Sequence, residues 1–486
     1  MKTKSTFFCL AIIFFVNTCV TAYSQAVDEQ DSLALVDLYN STNGSAWDNN
    51  NNWLSGPVRT WYGITVTGTR VTGINLSFNN LEGNIPTSIG NIVNLTTFYL
   101  FDNQLNGSIP SSLGNLVNLI NLSLYNNQLS GRIPTSFGNL LSLNFLKLGG
   151  NQLSGSIPSS LGNLANLSHL SMGFNQLSGV IPSSLGNLVN LGDLFLDNNQ
   201  LSGSIPSSLG NLVNLSTLYL NNNQLSGKIP SSLGNLVNLY FLDLSNNELS
   251  GSIPSSFGNL VNLEHLFLGS NRLSGIPSSF ATLPALYELD LSKNRFTFDG
   301  IELLAQTILF FTYNNQARIP VHQNGSALSV SAGGTLSNNT YRWFRVKKTG
   351  ITLVTTIAGD SVFHPAENGV YGVRVVNSIA TDLILYSSPI KYLASENNTQ
   401  SLTSKSKLEA NDKIHLFLVY PNPAKDILHI ETHSNESFSL LNQSGQILLT
   451  TNIKGKGSIN ISGIAPGLYY LKNSSTGAVK KVVVSK

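Results

Sequence analysis

Two adjacent stretches decide the fold: LSTLYLNNNQLSGKIPSSLGNLVN at Leu215–Asn238 and LYFLDLSNNELSGSIPSSFGNLVN at Leu239–Asn262. They share most positions, so the second is a copy of the first shifted by 24 residues. One asparagine recurs at this spacing from Asn79 to Asn271, and after a step of 23 residues the last copy reaches Asn294. A fixed period of about 20–50 residues predicts a solenoid of stacked coils.

Each part of the repeat has a physical role. The Leu-x-Leu alternation predicts a short strand with one buried face. The asparagine that follows can bond free backbone groups of a turn, and stacked copies would form a buried ladder. Ser-Gly turns the chain, Ile-Pro continues it in an extended form, and PSSLGNLVNL returns it with leucines inward. The predicted ladder consists of Asn79, Asn103, Asn127, Asn151, Asn175, Asn199, Asn223, Asn247, Asn271 and Asn294.

The pattern LxxLxLxxNxLxGxIP resembles the plant-type leucine-rich repeats, over about nine full copies and a partial tenth. The resemblance implies a mostly β protein built on a right-handed solenoid of about 9–10 repeats. We expect this solenoid, with its C-terminal cap, to span residues 71–316 and two small β-sandwich domains to follow it.

The composition points to an extracellular β-rich protein. Only 11% of the 486 residues are charged and the formal net charge is +2, which argues against a nucleic-acid partner. Lys2 and Lys4 precede an apolar run, so residues 1–24 are expected to be a signal peptide. This run is short for a spanning helix, which makes an uncleaved anchor the weaker alternative. Both cysteines, Cys9 and Cys19, lie in it, so the mature chain would have neither a disulfide nor a thiolate site.

Residues 25–70 are predicted to form an N-terminal cap. Apolar residues at helical spacing predict a helix that starts at Asp31-Ser32, and Trp47, Trp53 and Trp61 follow it. The segment resembles the cap that precedes plant-type repeats, in which tryptophans seal the first coil. Plant relatives usually carry a cysteine pair there, so its absence favours a bacterial version stabilised by aromatic burial. A tryptophan platform for sugars is the alternative.

Beyond the repeats, residues 317–393 resemble an immunoglobulin-like β-sandwich. Short alternating runs are separated by turn residues. Trp343 takes the place of the core tryptophan, and Tyr371 in NGVY that of the tyrosine corner. We expect this module to act as a spacer, followed by a polar linker at residues 394–413.

Residues 414–486 resemble the C-terminal sorting domain of proteins exported by the bacterial type IX secretion system. The resemblance rests on Tyr420-Pro421-Asn422-Pro423, on Ala465-Pro466-Gly467-Leu468-Tyr469 and on the basic strand from Lys480. It implies passage across the outer membrane through the type IX machinery. Removal of the domain would then lead to release or to attachment at the cell surface.

The third, fifth and seventh positions of LxxLxLxx vary widely while the rest of the repeat is nearly constant. Variation confined to one face is typical of a recognition surface, and exposed aromatics beside carboxylates suit a glycan or a protein ligand. The alternative is that these rings only pack against one another along the sheet. The candidate ligand-binding residues on this concave face are Tyr99, Phe101, Tyr125, Phe145, His169, Asp193, Phe195, Asp197, Tyr219, Phe241, Asp243, His265 and Phe267.

Catalysis finds little support in the sequence. His169 and His265 lie four repeats, or about 19 Å, apart, too far to share a metal. We therefore expect no catalytic residue, metal site or cofactor, and a secreted or cell-surface recognition or adhesion protein. A surface hydrolase is an unfavoured alternative. The near-constant Ser-x-Ile-Pro-Ser-Ser-Leu-Gly-Asn rows of the outer face leave ice-lattice binding as another.

Overall fold

The computed structural model describes residues 26–347, 349–393, 418–420, 426–442, 446–474 and 479–484. The predicted signal peptide at residues 1–24 and the predicted linker at residues 394–413 lie outside the described residues. The same holds for the two cysteines and for Pro421–Pro423 of the predicted sorting domain.

Two compact units make up the chain. The first ends at Leu268 and also includes Thr282–Tyr287. The second contains Gly269–Ala281 and the chain from Glu288 onward. As the sequence predicts, the protein is mostly β: short parallel strands in the repeats give way to antiparallel strands in the C-terminal part.

The first unit begins with the helix Glu29–Ser41. Asp28 caps it, because its carboxylate accepts hydrogen bonds from the backbone N–H groups two and three residues further on. The predicted start at Asp31-Ser32 was therefore wrong. The Asp31 side chain turns inward instead, where its carboxylate is fully buried and accepts from Arg70 Nη2 at 2.7 Å.

A cluster of aromatic rings closes the first coil. Trp47, Trp53 and Trp61 are only 5–6% exposed. The Trp53 ring lies 4.8 Å from Trp47 and 4.7 Å from Trp61, and Tyr39 stacks on Trp53 at 5.8 Å. Rings buried to this extent cannot serve as an open sugar platform, so the tryptophans seal the solenoid. The other elements of this segment are the 3₁₀ helices Gly44–Ala46 and Val58–Thr60 and the antiparallel strands Ile64–Thr67 and Arg70–Asn75.

Each repeat places its Leu-x-Leu segment in a three-residue strand, and these strands form a parallel sheet. Leu170 lies beside Leu194, and Leu194 beside Leu218, so the register equals the 24-residue period of the sequence. The middle residue of each strand is fully buried. After Arg70–Asn75, the strands in the first unit are Thr97–Tyr99, Asn121–Ser123, Phe145–Lys147, His169–Ser171, Asp193–Phe195, Thr217–Tyr219, Phe241–Asp243 and His265–Phe267.

A second series of short parallel strands follows the ladder asparagines, where the sequence indicated only a turn. Ser202 pairs with Gln224 and Gly203 with Leu225, because the Gln-Leu-Ser-Gly segment of one coil lies against that of the next. These strands are Glu82–Asn84, Gln104–Asn106, Ser130–Gly131, Gln152–Gly155, Gln176–Val180, Gln200–Gly203, Gln224–Lys228 and Glu248–Ser252.

The return leg of each repeat is a 3₁₀ helix. Pro206 precedes one of them with φ −64°, which its ring fixes. Four residues further on, a Cβ on Gly210 would lie 2.3 Å from the Ser232 carbonyl oxygen, so glycine is required where coils approach. The helices are Thr87–Asn91, Ser111–Asn115, Thr135–Asn139, Ser159–Asn163, Ser183–Asn187, Ser207–Asn211, Ser231–Asn235, Ser255–Asn259 and Ser278–Thr282.

The ladder asparagines bond the coils to one another. Asn199 donates through Nδ2 to the carbonyl oxygens of Met172, Leu196 and Asp197, and its Oδ1 accepts from the backbone N–H of Leu177 at 2.9 Å. Asn103, Asn127, Asn151, Asn175, Asn223 and Asn247 make the same kinds of bond in their coils. Asn79 donates Nδ2 to the Asn49 carbonyl, and Asn294 Oδ1 accepts from the Leu273 N–H in the preceding coil. Asn271 donates Nδ2 to the Gly269 carbonyl within its own turn.

In the second unit, the segment after the last repeat is hydrogen-bonded to the segment at residues 332–335. Phe298 donates its backbone N–H to the Ala332 carbonyl at 2.8 Å. The Asp299 carboxylate accepts a hydrogen bond from the Gly334 N–H at 2.9 Å. The Glu302 carboxylate accepts one from the Thr335 N–H, also at 2.9 Å. The elements here are the strands Arg272–Gly275, Glu288–Asp290 and Phe310–Thr312 and the helix Ile301–Thr307.

Residues 321–392 form a three-stranded and a five-stranded antiparallel sheet. Trp343 is fully buried and stacks on Phe363 at 5.1 Å, and Tyr371 donates its hydroxyl to the Glu367 carbonyl at 2.8 Å. These contacts suit a core tryptophan and a tyrosine corner, and the immunoglobulin-like assignment stays a prediction. The elements are the 3₁₀ helix Leu336–Asn338 and the strands Val321–Asn324, Ala327–Val330, Asn339–Lys347, Gly350–Ala358, Val362–Phe363, Gly369–Asn377, Ile384–Tyr386 and Ile390–Tyr392.

The described C-terminal residues form one further antiparallel sheet with its own core. Leu428, Phe438, Leu471 and Val482 are fully buried within it. Alternate residues of these strands face that core, as a half-buried sheet requires. The strands are Leu418–Tyr420, Ile427–Leu441, Ile447–Asn460, Gly467–Asn473 and Val479–Val484.

Candidate ligand-binding site

The third and fifth positions of the repeat share the open face of the parallel sheet. Along one strand, Leu194 is fully buried while its neighbours Asp193 and Phe195 are half-buried, because successive side chains point to opposite faces. The constant register places each such residue directly beside its counterpart in the next coil, as Phe195 lies beside Tyr219. The candidate residues on these strands therefore form continuous columns.

Aromatic rings follow one another along six consecutive strands of this face. Neighbouring centroids lie between 4.6 and 5.9 Å apart. Seven of the candidate residues are thus brought together in what is called here the ring row. Its members are Phe145, His169, Phe195, Tyr219, Phe241, His265 and Phe267.

At the centre of the ring row, the ring faces are turned toward each other. Tyr219 lies 5.2 Å from Phe195 with 25° between the planes, and 4.6 Å from Phe241 with 16°. Both faces of Tyr219 are therefore covered by neighbours, and a ligand meets mainly the ring edges. This is the cross-strand packing weighed above as the alternative. It disfavours sugars stacked on these faces and leaves an apolar, edge-lined surface.

Charges border the ring row. Burial, followed by the nearby carboxylates of Asp243 and Asp197, raises the pKa of Tyr219, so its hydroxyl stays protonated at neutral pH. Asp243 also accepts the backbone N–H of Ser245 at 2.8 Å, which fixes its carboxylate at the end of the strand. The surface thus offers a phenol and the Asp243 carboxylate beside the apolar ring edges.

A shallow depression of about 250 Å³ opens beside the start of the ring row. In the seventh column, two adjacent repeats here have glycine, Gly149 and Gly173, and a Cβ on Gly149 would lie 3.0 Å from the Gly173 carbonyl oxygen. The depression is lined by Tyr125, Lys147, His169, Ser171 and Phe195.

His169 and Asp193 form the pair that the sequence placed side by side. Nδ1 of His169 lies 3.3 Å from Asp193 Oδ2. Burial lowers the pKa of His169, and the hydrogen bond to Asp193 opposes this only in part, while the charge of Lys147 lowers it further. The imidazole is therefore neutral at physiological pH, and the carboxylate orients it within the ring row.

Two exposed phenylalanines next to the candidate columns were missed. Phe78 and Phe174 occupy the eighth position, where every repeat has positive φ, with values of 53° and 55°. Other repeats use Asn, Asp, Gly, Ser or Lys there, and the first three tolerate this conformation best. The phenylalanines are 68% and 60% exposed. Phe78 lies 5.1 Å from Phe101, which lies 6.1 Å from Tyr99, so these rings form a separate group.

The expectation that Asp197 is exposed was wrong: the residue is only 7% exposed. Gly173 in the preceding coil has no side chain, so the carboxylate lies over it; a Cβ there would be 2.5 Å from Asp197 Oδ1. Asp197 Oδ2 also accepts from Asn198 Nδ2 at 2.7 Å. The repeat pattern alone does not predict that Asp197 is buried. The one sequence feature that points to it is the glycine at the same position of the preceding coil, Gly173.

One serine of each regular outer row is bonded within the solenoid. Ser208 donates its hydroxyl to the Ser183 carbonyl at 2.6 Å, and Asn214 donates Nδ2 to the Val189 carbonyl at 2.8 Å. Equivalent bonds recur in neighbouring coils. Both donors hold coils together, but Asn214 lies three residues beyond the row. Ser204, Ser207 and Asn211 of the same row are exposed, so ice-lattice binding stays an alternative.

Comparison with known families agrees with the repeat pattern. Residues 238–296 match a leucine rich repeat model, and residues 418–485 match the secretion system C-terminal sorting domain. A further leucine rich repeat model matches residues 70–92, 94–116, 118–140, 142–164, 166–188, 190–212 and 214–236. The chain contains leucine-rich repeats and a C-terminal sorting domain. A search of curated proteins gave no match.

Solved structures with similar leucine-rich repeats include plant receptor ectodomains. That of the Arabidopsis thaliana receptor kinase GASSHO1/SCHENGEN3, in complex with CASPARIAN STRIP INTEGRITY FACTOR 2, is 38% identical over 59% of this chain and 35% of its own, with a TM-score of 0.56. The Arabidopsis receptor kinase HAESA, with the peptide hormone IDA and the co-receptor SERK1, is 37% identical over 56% and 46%, with a TM-score of 0.51. This chain thus spans less than half of either.

A plant ice-binding protein is also similar, at 25% identity over 60% of this chain and 99% of its own. Its TM-score of 0.49 is too low to bear on function. Within the part of the chain that the structure describes, no three His, Cys, Asp or Glu side chains are grouped to hold a metal ion. Among the described ranges, no helix has both the length and the apolar character needed to cross a membrane.

Proposed function

We propose that this is an exported, non-enzymatic binding protein whose concave face holds an extended polypeptide segment. The observation that carries the proposal is the ring row on six adjacent strands. At its centre, both faces of Tyr219 are covered by Phe195 and Phe241, and mainly ring edges remain for a ligand. Apolar side chains of a peptide can pack on such edges, whereas a sugar needs an open face. Of the two ligand classes considered, the polypeptide is therefore favoured over the glycan.

Two further observations support this function. The repeats resemble receptor ectodomains, one of which, HAESA, was solved with a peptide hormone. The sorting domain at residues 418–485 supports export through the type IX machinery, after which the protein is released or attached to the cell surface. Tyr99, Phe101 and Tyr125 would extend the contact surface toward the N-terminal coils.

A peptide-display selection on the full protein, with a glycan array in parallel, tests the proposal. Enriched peptides are expected to bind at least tenfold more weakly to a Phe195→Leu/Tyr219→Leu double variant, which keeps apolar bulk but removes two rings of the row. The matched control is Val189→Ser/Val213→Ser on the outer face, where both valines are nearly half exposed. Equal loss in both variants, or glycan hits without enriched peptides, would refute it.

A further inference from the structure

Three residues at the second position of successive repeats form a cluster outside the predicted site. They are Tyr240, Glu264 and Tyr287. Their backbones are stacked, because Glu264 N–H donates to the Tyr240 carbonyl at 3.0 Å and Tyr287 N–H to the Glu264 carbonyl at 2.9 Å. The cluster therefore has an acid at its centre and a tyrosine on either side, at the edge of the concave sheet.

Both tyrosine rings are 44% exposed. At the same position, the other coils carry no aromatic residue: the residues there are Thr72, Thr96, Ile120, Asn144, Ser168, Gly192 and Ser216. Two large rings open to water on either side of a carboxylate are therefore a local departure from the repeat. Since the leucine core does not need them, this departure calls for a role at the surface.

His265 holds the two rings apart and in place. Its ring makes edge-on contacts with Tyr240 at 5.4 Å and with Tyr287 at 6.2 Å, with interplanar angles of 67° and 77°. The Tyr240 hydroxyl lies 3.3 Å from His265 Nε2. Partial burial raises the pKa of Tyr240. The negative charge of the Glu264 carboxylate and its hydrogen bond with the Tyr240 hydroxyl raise this pKa further. The acid thus lies within reach of the ring and keeps its phenol neutral.

The spacing of the cluster suits a cation. Two coil steps, about 9.6 Å, separate the Tyr240 and Tyr287 backbones. This backbone spacing is less than twice the roughly 6 Å over which an aromatic ring attracts a cation, so one positive group can be attracted by both exposed rings. The Glu264 carboxylate supplies a charged partner at the same point. Asp193 and Asp243, in nearby coils of the same face, add negative potential, which repels an anionic group.

We infer that Tyr240, Glu264 and Tyr287 form a subsite for the guanidinium or ammonium group of a basic residue in the polypeptide ligand. The inference rests on the proposed function for the source of the cation. The subsite sets a preference: a ligand laid along the ring row has an arginine or lysine where it reaches these coils, and a ligand with a neutral or acidic residue there binds more weakly.

The first test uses small probes on the full protein. Tyrosines are replaced by 3-fluorotyrosine, and the ¹⁹F signals of Tyr240 and Tyr287 are identified with Tyr→Phe variants. N-acetyl-arginine amide is expected to shift both signals in a saturable manner, and its neutral isostere N-acetyl-citrulline amide is not. Glu264→Gln is expected to weaken the arginine effect at least tenfold. Glu248→Gln, which removes an exposed carboxylate from the second strand series, is the matched control.

Equal shifts with the citrulline probe, or equal losses in Glu264→Gln and Glu248→Gln, would overturn the subsite. A second test exchanges arginine and lysine for glutamine in peptides enriched by display. If the small probe binds but no peptide is enriched, the cation subsite stands and the polypeptide function fails. If enriched peptides bind without regard to charge or to Glu264, the function stands and the subsite is refuted.

Discussion

Replacing Asn199 by alanine is expected to destabilise the repeats far more than the same substitution at Asn214. Both side chains bond neighbouring coils, but Asn199 is 9% exposed and takes part in four hydrogen bonds, whereas Asn214 is exposed and its donation to the Val189 carbonyl is a single bond at the surface. The difference in unfolding free energy between Asn199→Ala and Asn214→Ala therefore measures how much more a buried inter-coil asparagine stabilises the fold than an exposed one.

The magnitude follows from the groups left behind. Without the Asn199 amide, the N–H of the fully buried Leu177 loses its acceptor, and an unsatisfied buried donor costs about 1–3 kcal/mol. The three bonds donated to carbonyl groups add about 1 kcal/mol or more in total, since each accepting oxygen keeps a second lone pair. We expect a loss of about 2–4 kcal/mol for Asn199→Ala and of about 1 kcal/mol or less for Asn214→Ala.

Urea unfolding, followed by circular dichroism, measures both variants against the unchanged protein. Because repeat arrays can lose coils locally, hydrogen exchange of peptides that contain Met172 and Leu177 serves as a second readout. Faster exchange is expected there in Asn199→Ala alone. Equal midpoints and equal exchange in the two variants would refute the view that the buried ladder stabilises the coils.

Three further outcomes are expected. Gly210→Ala should lower the free energy of unfolding by about 1–3 kcal/mol or more, because its Cβ would meet a backbone oxygen at 2.3 Å. Gly192→Ala, whose Cβ would have its nearest contact at 3.6 Å, should change it little, and equal losses in the two variants would contradict this. The pKa of His169 is lower in the folded state than in the unfolded chain. Its contribution to stability is therefore complete at pH values above the ordinary histidine pKa, and it is lost as pH falls through the folded-state pKa. Melting temperatures at about pH 7.5 and about pH 5 should therefore differ more for the unchanged protein than for His169→Gln, and an equal difference would contradict it. Asp31→Ala should cost about 1–3 kcal/mol, because the buried Val71 N–H loses its acceptor and Arg70 loses its nearest carboxylate; tryptophan fluorescence should show earlier unfolding, and an unchanged transition would argue against this role of Asp31.

Much of the fold could be predicted from the repeat. The 24-residue spacing gave the register of the parallel sheet, since Leu194 and Leu218 pair at that distance. Leucines at alternate positions can be buried only by stacking, which is why the pattern predicts a solenoid. The columns of candidate residues follow from the same period. The second series of strands escaped prediction because Ser-Gly reads as a turn, while its pairing depends on the next coil.

What the sequence by itself determined is the part of the protein that every repeat shares: the coil, its core leucines, its asparagines and the face on which variable residues lie. What only the tertiary structure decided is how those variable residues meet. Tyr219 lies between Phe195 and Phe241, Asp197 lies over Gly173, and Phe174 lies exposed on a left-handed backbone. The reason is physical: each of these outcomes depends on the size of a side chain one coil away, and a repeat motif specifies positions without specifying that neighbour.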